Sequence, residues 1–236
     1  MKQIHFPVLY STNDYLKDNY KDIDNFTFVS ADKQTKARGR NNRKWDSDEG
    51  SLSFSLLIKN KEYFNSYSGI SIVAAYTILE VIKEYIPNDV MIKWPNDVLV
   101  DGKKICGILL ESISTNEIEC LIIGVGINVN QVEFINKHNI EATSLRILLS
   151  HEVNINELKQ KVYTKLLSNL DKLINGYDYC KQINVYNYLL NKEVYALIND
   201  KKQKVTVKSI NQDYSLNVIV GEKEVNINSG EITFHI

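Results

Sequence analysis

Residues 93–128 read KWPNDVLVDGKKICGILLESISTNEIECLIIGVGIN. Asp101-Gly102 is a two-residue hairpin signal, because both central positions of the favoured turn need positive φ, which Asp and Gly reach at little cost. Apolar residues on either side read as strands, and a further pair at 105–114 and 117–129 is joined near Thr115-Asn116. Consecutive strands linked by such short turns pair antiparallel, so this stretch places an antiparallel sheet at the centre of the chain. With a two-residue turn, Leu99 pairs with Lys104 and Asp97 with Cys106. Asp97 and Lys104 then become diagonal neighbours on one sheet surface. That pair reads either as part of a site or as an ordinary surface ion pair beside Trp94.

Working outward, SLSFSLLI (51–58) and FTFVSA (26–31) are strands. Ile70, Val73, Ala74, Thr77, Ile78, Val81, Ile82 and Tyr85 recur at helical spacing until Pro87 stops them. Ser11-Thr12-Asn13 caps a short helix, and 143–150, 156–176 and 180–190 also read as helical. From Glu193 the texture changes to five short alternating segments, VYALI, KVTVKSI, SLNVIV, KEVNI and EITFHI, separated by turn residues. The expected architecture is α+β: a mixed or antiparallel sheet with helices on one face, followed by a small SH3-like β-barrel. Residues 1–190 form the first domain and 191–236 the second.

Charge and composition exclude several classes. Lys plus Arg (28) nearly balances Asp plus Glu (29), so no global field holds nucleic acid or membrane. No apolar run approaches the roughly 20 residues of a bilayer span, and MKQIHFPVLY lacks a signal-peptide core. Cys106, Cys120 and Cys180 form no CxxC, and the four histidines have no metal-ligand spacing. These features predict a cytoplasmic protein with reduced thiols.

Of the 28 basic residues only Arg38, Arg40, Arg43 and Arg146 are arginine, and three of them fall in Gln34-Thr35-Lys36-Ala37-Arg38-Gly39-Arg40-Asn41-Asn42-Arg43-Lys44-Trp45. Arginine's planar fork suits carboxylate and phosphate. A solvated basic loop and a grip on nucleic acid are the other readings of this segment. Gly124-Val125-Gly126 lacks the third glycine and following helix of a dinucleotide fold, so a Rossmann site is rejected.

Six ordered motifs resemble the biotin–protein ligase family: STN (11–13), Q-x-x-x-RGR-x-x-RKW (34–45), KWPND (93–97), KKICGILLE (103–111), GVGIN (124–128) and ATSL (142–145). The resemblance implies a class II synthetase-like catalytic domain plus the C-terminal barrel. It implies activation of biotin by ATP to biotinyl-5'-AMP and transfer to a lysine of a biotin carboxyl carrier protein, of acetyl-CoA carboxylase or a related biotin enzyme. Ten residues precede STN, which fits the monofunctional type without a DNA-binding module, so neither DNA nor membrane is an expected partner. Monomer and homodimer both stay open. A lipoate-type ligase on the related fold is the nearest alternative, and a nucleic-acid-binding module the other.

Carried over by position, the family pattern assigns Ser11, Thr12, Asn13, Gln34, Arg38, Gly39, Arg40, Lys104 and Gly107 to biotin. It assigns Arg40, Trp45, Asn96, Asp97, Gly124, Gly126 and Asn128 to ATP and the adenylate, with Arg40 and Lys104 catalytic. Gly107, Gly124 and Gly126 are expected to let backbone approach ligand. ATP enters with Mg²⁺ near Asp97, without a dedicated metal site or a permanently bound cofactor. The family usually has Gly where Ala37 stands, and a positive φ there would cost Ala about 1 kcal/mol. Asn42 also replaces a common Gly, and Asn tolerates the left-handed region. A chain ending near 190, if soluble, is expected to bind biotin and lose ligation.

Overall fold

The computed structural model describes residues 2–134, 141–198, 201–228 and the backbone of 232–233. Strand β3 (Ser51–Ile58) explains the layering, because all eight of its residues are buried. Leu52, Phe54, Leu56 and Ile58 join one apolar cluster, and Leu57 joins another. Successive side chains point to opposite faces, so this strand is covered on both sides.

The main sheet runs in the order β1 (Lys2–Leu9), β2 (Thr27–Gln34), β3, β7 (Ile118–Asn128), β6 (Lys103–Ser114), β5 (Asp97–Val100), β4 (Val90–Lys93). The β1–β2 pair is parallel and the other neighbours are antiparallel, which makes the sheet mixed. Sequence reading did not find β1. Its Pro7 has no pairing partner, and proline is tolerated on an edge strand because the ladder there is open on one side. It also did not find the four-residue β4.

The long helices α2 (Tyr67–Ile82) and α4 (Ile155–Ile174) pack together on one face, as expected, with Tyr163 stacked on Phe28 at 3.8 Å between ring centres. The short α1 (Thr12–Asn19) lies on the opposite face, where Leu16 meets Val29, Leu57 and Ile122. Helices α3 (Leu145–Leu149) and α5 (Cys180–Val185) fall where helix was expected but are shorter. No helix among the described residues is long and apolar enough to cross a membrane.

The tail forms a five-stranded antiparallel sheet in the order β11 (Lys223–Ile227), β10 (Leu216–Val220), β9 (Lys201–Ile210), β8 (Glu193–Ile198), β12 (Ile232–Thr233). This agrees with the expected small barrel, though most of the fifth segment, EITFHI, lies outside the described residues. Val194, Ala196, Val207 and Val218 belong to the same continuous buried cluster as the main sheet and α2. Trp94 Nε1 donates to Tyr214 O at 3.0 Å, and Asn184 makes 2.8 Å bonds to both the N and O of Ile210.

The boundary near 190 therefore divides the chain but not the core. Cutting there uncovers Trp94, worth about 1.5–3 kcal/mol on the scale of a large apolar side chain. Each orphaned buried polar group adds about 1–3 kcal/mol, against a typical total stability of about 5–15 kcal/mol. A chain ending at Leu190 should be insoluble or melt far below the full chain, so the solubility on which the binding expectation depends is not met. A cooperative melt by circular dichroism within a few degrees of the full chain would refute this.

Candidate active site

The α1 face of the sheet carries the chemistry. Ser11 caps α1, its Oγ accepting from Asp14 N at 3.2 Å, which sets Thr12 and Asn13 in the buried first turn. Thr12 N and Oγ1 donate to Gln34 Oε1 at 2.7 and 3.1 Å, and Gln34 Nε2 donates to Ser47 Oγ at 3.1 Å. Ser55 Oγ lies 2.7 Å from Thr12 Oγ1 and 2.5 Å from Asn13 Oδ1. The result is a buried, uncharged patch of hydroxyls and amides. Ser47, Ser53 and Ser55 were not singled out from the sequence. The signal was there: serines at 51, 53 and 55 alternate with apolar residues, which puts them on one strand face.

The loop after Gln34 closes on itself as a small hairpin. Arg38 bridges Lys44, Gly39 N donates to Arg43 O at 2.8 Å, and Trp45 N to Ala37 O at 3.1 Å. The reversal falls on Asn41 and Asn42, at φ of 53° and 55°, in the left-handed region that Asn tolerates. Ala37 is not among the positive-φ residues, so its feared penalty does not arise. Arg40 Nη1 reaches Asn96 Oδ1 at 3.4 Å, and burial pulls its pKa below the usual value despite the nearby Asp97 carboxylate.

At the other end of the cleft, β5 and β6 depart from the expected register. Leu99 pairs with Lys104 as read, but Val98 pairs with Cys106 and Asp97 with Gly107, because a bulge interrupts the ladder. Both Ile105 and Cys106 are buried, the mark of one extra residue. The bulge lets Lys104 share a face with Gly107, and its Nζ sits 2.6 Å from Asp97 Oδ1. That oxygen is buried and has the ammonium beside it but no aligned hydrogen-bond donor. Lys93 also lines this end, and burial pulls its pKa down to about 8 although Asp97 opposes the shift. It was quoted in KWPND but given no role.

The three glycines line the cleft and also make room for neighbouring side chains. A Cβ on Gly124 would collide with the Asn13 carboxamide, and one on Gly126 would lie 2.5 Å from Trp45 Nε1. A Cβ on Gly107 would come within 3.2 Å of the same indole. Their bare backbone seats two site side chains on the sheet. Trp45 Nε1 is itself buried without a hydrogen-bond partner, and Lys104 Nζ stands 5.3 Å from the Trp45 ring centre.

One cleft of about 1060 Å³, measured to its open mouth, collects all the assigned residues except Asn128. Asn128 is buried behind it and donates to Lys104 O (3.3 Å) and Thr143 O (3.0 Å). It ties Lys104 to the ATSL segment, whose Thr143 N also donates to Lys104 O. Phe54, Leu109 and Val125 line the cleft as well. Among the described residues no cluster of three or more His, Cys, Asp or Glu could hold a metal ion.

The family model described as "Biotin/lipoate A/B protein ligase family" matches residues 5–128. The bifunctional ligase/repressor BirA of Bacillus subtilis is 41% identical over 107 residues, 44% of this chain and 33% of the relative. That of Escherichia coli is 34% identical over 125 residues, 52% of this chain and 39% of the relative. The match thus spans between a third and two fifths of these curated relatives' length. A solved biotin protein ligase from Aquifex aeolicus, in complex with biotin and ATP, superposes with a TM-score of 0.88 at 31% identity, covering 98% of this chain and 97% of that one. With a match over more than half of its length and the same fold from end to end, this chain belongs to the biotin/lipoate A/B protein ligase family.

Proposed function

We propose that the chain is a biotin–protein ligase: it joins biotin to ATP as biotinyl-5'-AMP, releasing pyrophosphate, and passes the biotinyl group to a lysine of a carrier protein, releasing AMP. The observation that carries this is the polarity of the cleft. One end is a neutral patch of Ser11, Thr12, Asn13 and Gln34, the first three buried, and the other gathers Arg40, Lys93 and Lys104 around Asp97. A ureido ring needs paired neutral donors and acceptors, whereas a carboxylate meeting a triphosphate needs cations. A dithiolane offers nothing to the neutral end, which favours biotin over lipoate.

In this reading biotin's carboxylate attacks the α-phosphorus in line and pyrophosphate leaves. No side-chain nucleophile takes part; Arg40 and Lys104 neutralise the charge that grows on the phosphoryl oxygens in a closed site. Magnesium enters with ATP, and Asp97 is the carboxylate at that end, in keeping with magnesium's use of one or two carboxylates plus substrate phosphates. Trp45 and Asn96 serve the adenylate side. The carrier presents its lysine at the open mouth.

The deciding experiment is exchange of labelled pyrophosphate into ATP. Exchange with biotin and none with lipoate supports the reading; exchange with lipoate alone, or none with either, refutes it. Gln34 adds a finer prediction. Both ends of its amide already hold Thr12 and Ser47, so Gln34→Ala should loosen the whole neutral patch. Biotin affinity should fall by about 1–3 kcal/mol, while ATP binding measured without biotin stays near the parent value. Equal losses for both ligands in titration calorimetry would contradict the assignment.

A further inference from the structure

Glu111 was given no role by the sequence, yet it is the most heavily engaged carboxylate near the cleft. Its side chain, 18% exposed, accepts from Arg38 Nη1 at 3.0 Å, Arg38 Nη2 at 3.1 Å, Lys17 Nζ at 2.7 Å and Asn13 Nδ2 at 2.8 Å. Arg38 Nη2 also reaches Asp14 Oδ1 at 2.6 Å. Two acids and two bases balance here, and the group joins helix α1, strand β6 and the arginine loop. Burial pushes the Glu111 pKa up, but the hydrogen bonds from Arg38, Asn13 and Lys17 outweigh it and hold the carboxyl below its usual range.

Arg38 is thus bound to the protein through both terminal guanidinium nitrogens. Arg40, two residues on, is the loop arginine that reaches across the cleft to Asn96. The backbone bonds of the loop hairpin, Gly39 N to Arg43 O at 2.8 Å and Arg43 N to Arg40 O at 3.2 Å, link the two positions.

We propose that Glu111 is a positioning residue: by gripping Arg38 it fastens loop 37–45 onto α1 and β6, and so sets Arg40 over the reacting phosphate. The kinetic part of this inference rests on the ligase reading above. Arg38, on this view, serves the loop and does not contact biotin's carboxylate.

Glu111→Gln keeps an acceptor for Asn13 and removes the ion pair; Arg38→Gln removes its partner. Each should slow single-turnover adenylate formation on the order of 10- to 100-fold at saturating biotin and ATP, the worth of a charged hydrogen bond. Biotin affinity should shift only a few-fold, whereas a general loss of structure would lower affinity, rate and melting temperature together. The double variant should be no slower than the worse single one, because the two residues act through one contact. Without any substrate, trypsin should cut at Arg40, Arg43 or Lys44 faster in both variants than in the parent, as mapped by mass spectrometry. Parent-like cleavage and rate in Glu111→Gln, or losses that multiply in the double variant, would overturn the proposal. Should Glu111→Gln fail to fold, Arg38→Gln decides alone by the same two readouts. If the parent forms no adenylate, the ligase reading fails, and the trypsin comparison still decides whether Glu111 fastens the loop.

Discussion

Lys104→Ala is expected to slow adenylate formation on the order of 10²–10³-fold, comparable to removing one oxyanion donor, while Lys103→Ala stays near the parent chain. The two lysines are adjacent after the Asp101-Gly102 turn, and strand alternation sends them to opposite faces. Lys103 is half exposed and pairs with Glu141 at 3.1 Å, outside the cleft. Lys104 lines the cleft, its ammonium against Asp97, and its backbone is held on both sides by Glu141, Thr143 and Asn128. Such anchoring keeps the charge in place before phosphate arrives, so its worth should appear mainly in the transition state. The measurement is single-turnover adenylate formation for both variants, with folding followed by circular dichroism. A crippled Lys103→Ala beside an active Lys104→Ala would put the assignment on the wrong lysine.

Gly124→Val should weaken biotin binding by about 10- to 100-fold, through loss of the contacts that hold Asn13. Any Cβ at 124 takes the space of the Asn13 carboxamide, which then gives up its bonds with Ser55 and Glu111. The strand itself should tolerate the change, because valine favours β structure and Gly124 sits mid-strand between β3 and β6. Gly126→Ala is the companion variant. It displaces Trp45 and should disturb the nucleotide more than biotin. Titration calorimetry with biotin alone, then with ATP alone, separates the two. A Gly124→Val chain that binds biotin as the parent does would show that Asn13 is not part of the biotin pocket.

Much of the site was legible because its chemistry is local. The STN cap, the arginine loop, KWPND and the Asp101-Gly102 turn each lie within a dozen residues, and short-range rules read them correctly as helix start, loop and hairpin. The bulge was not legible. Nothing in Lys104-Ile105-Cys106-Gly107 marks an extra residue, since Ile and Cys are both apolar and either can face the core. Ala37 shows the converse error: a family difference suggested strain, but the loop reverses at Asn41 and Asn42.

By itself, the sequence determined the mixed α+β plan, the position of both sheets, the arginine loop and the placement of Lys104, not Lys103, beside Asp97. It did so because hydrophobic period and turn chemistry act over a few residues. Only the tertiary structure decided which partner each side chain has. Glu111 meets Asn13 across 98 residues and Arg38 across 73, and Gly124 is bare because Asn13 must lie on it. Contacts at such separation depend on how the sheet brings distant strands together, and no local pattern in a single chain encodes that pairing.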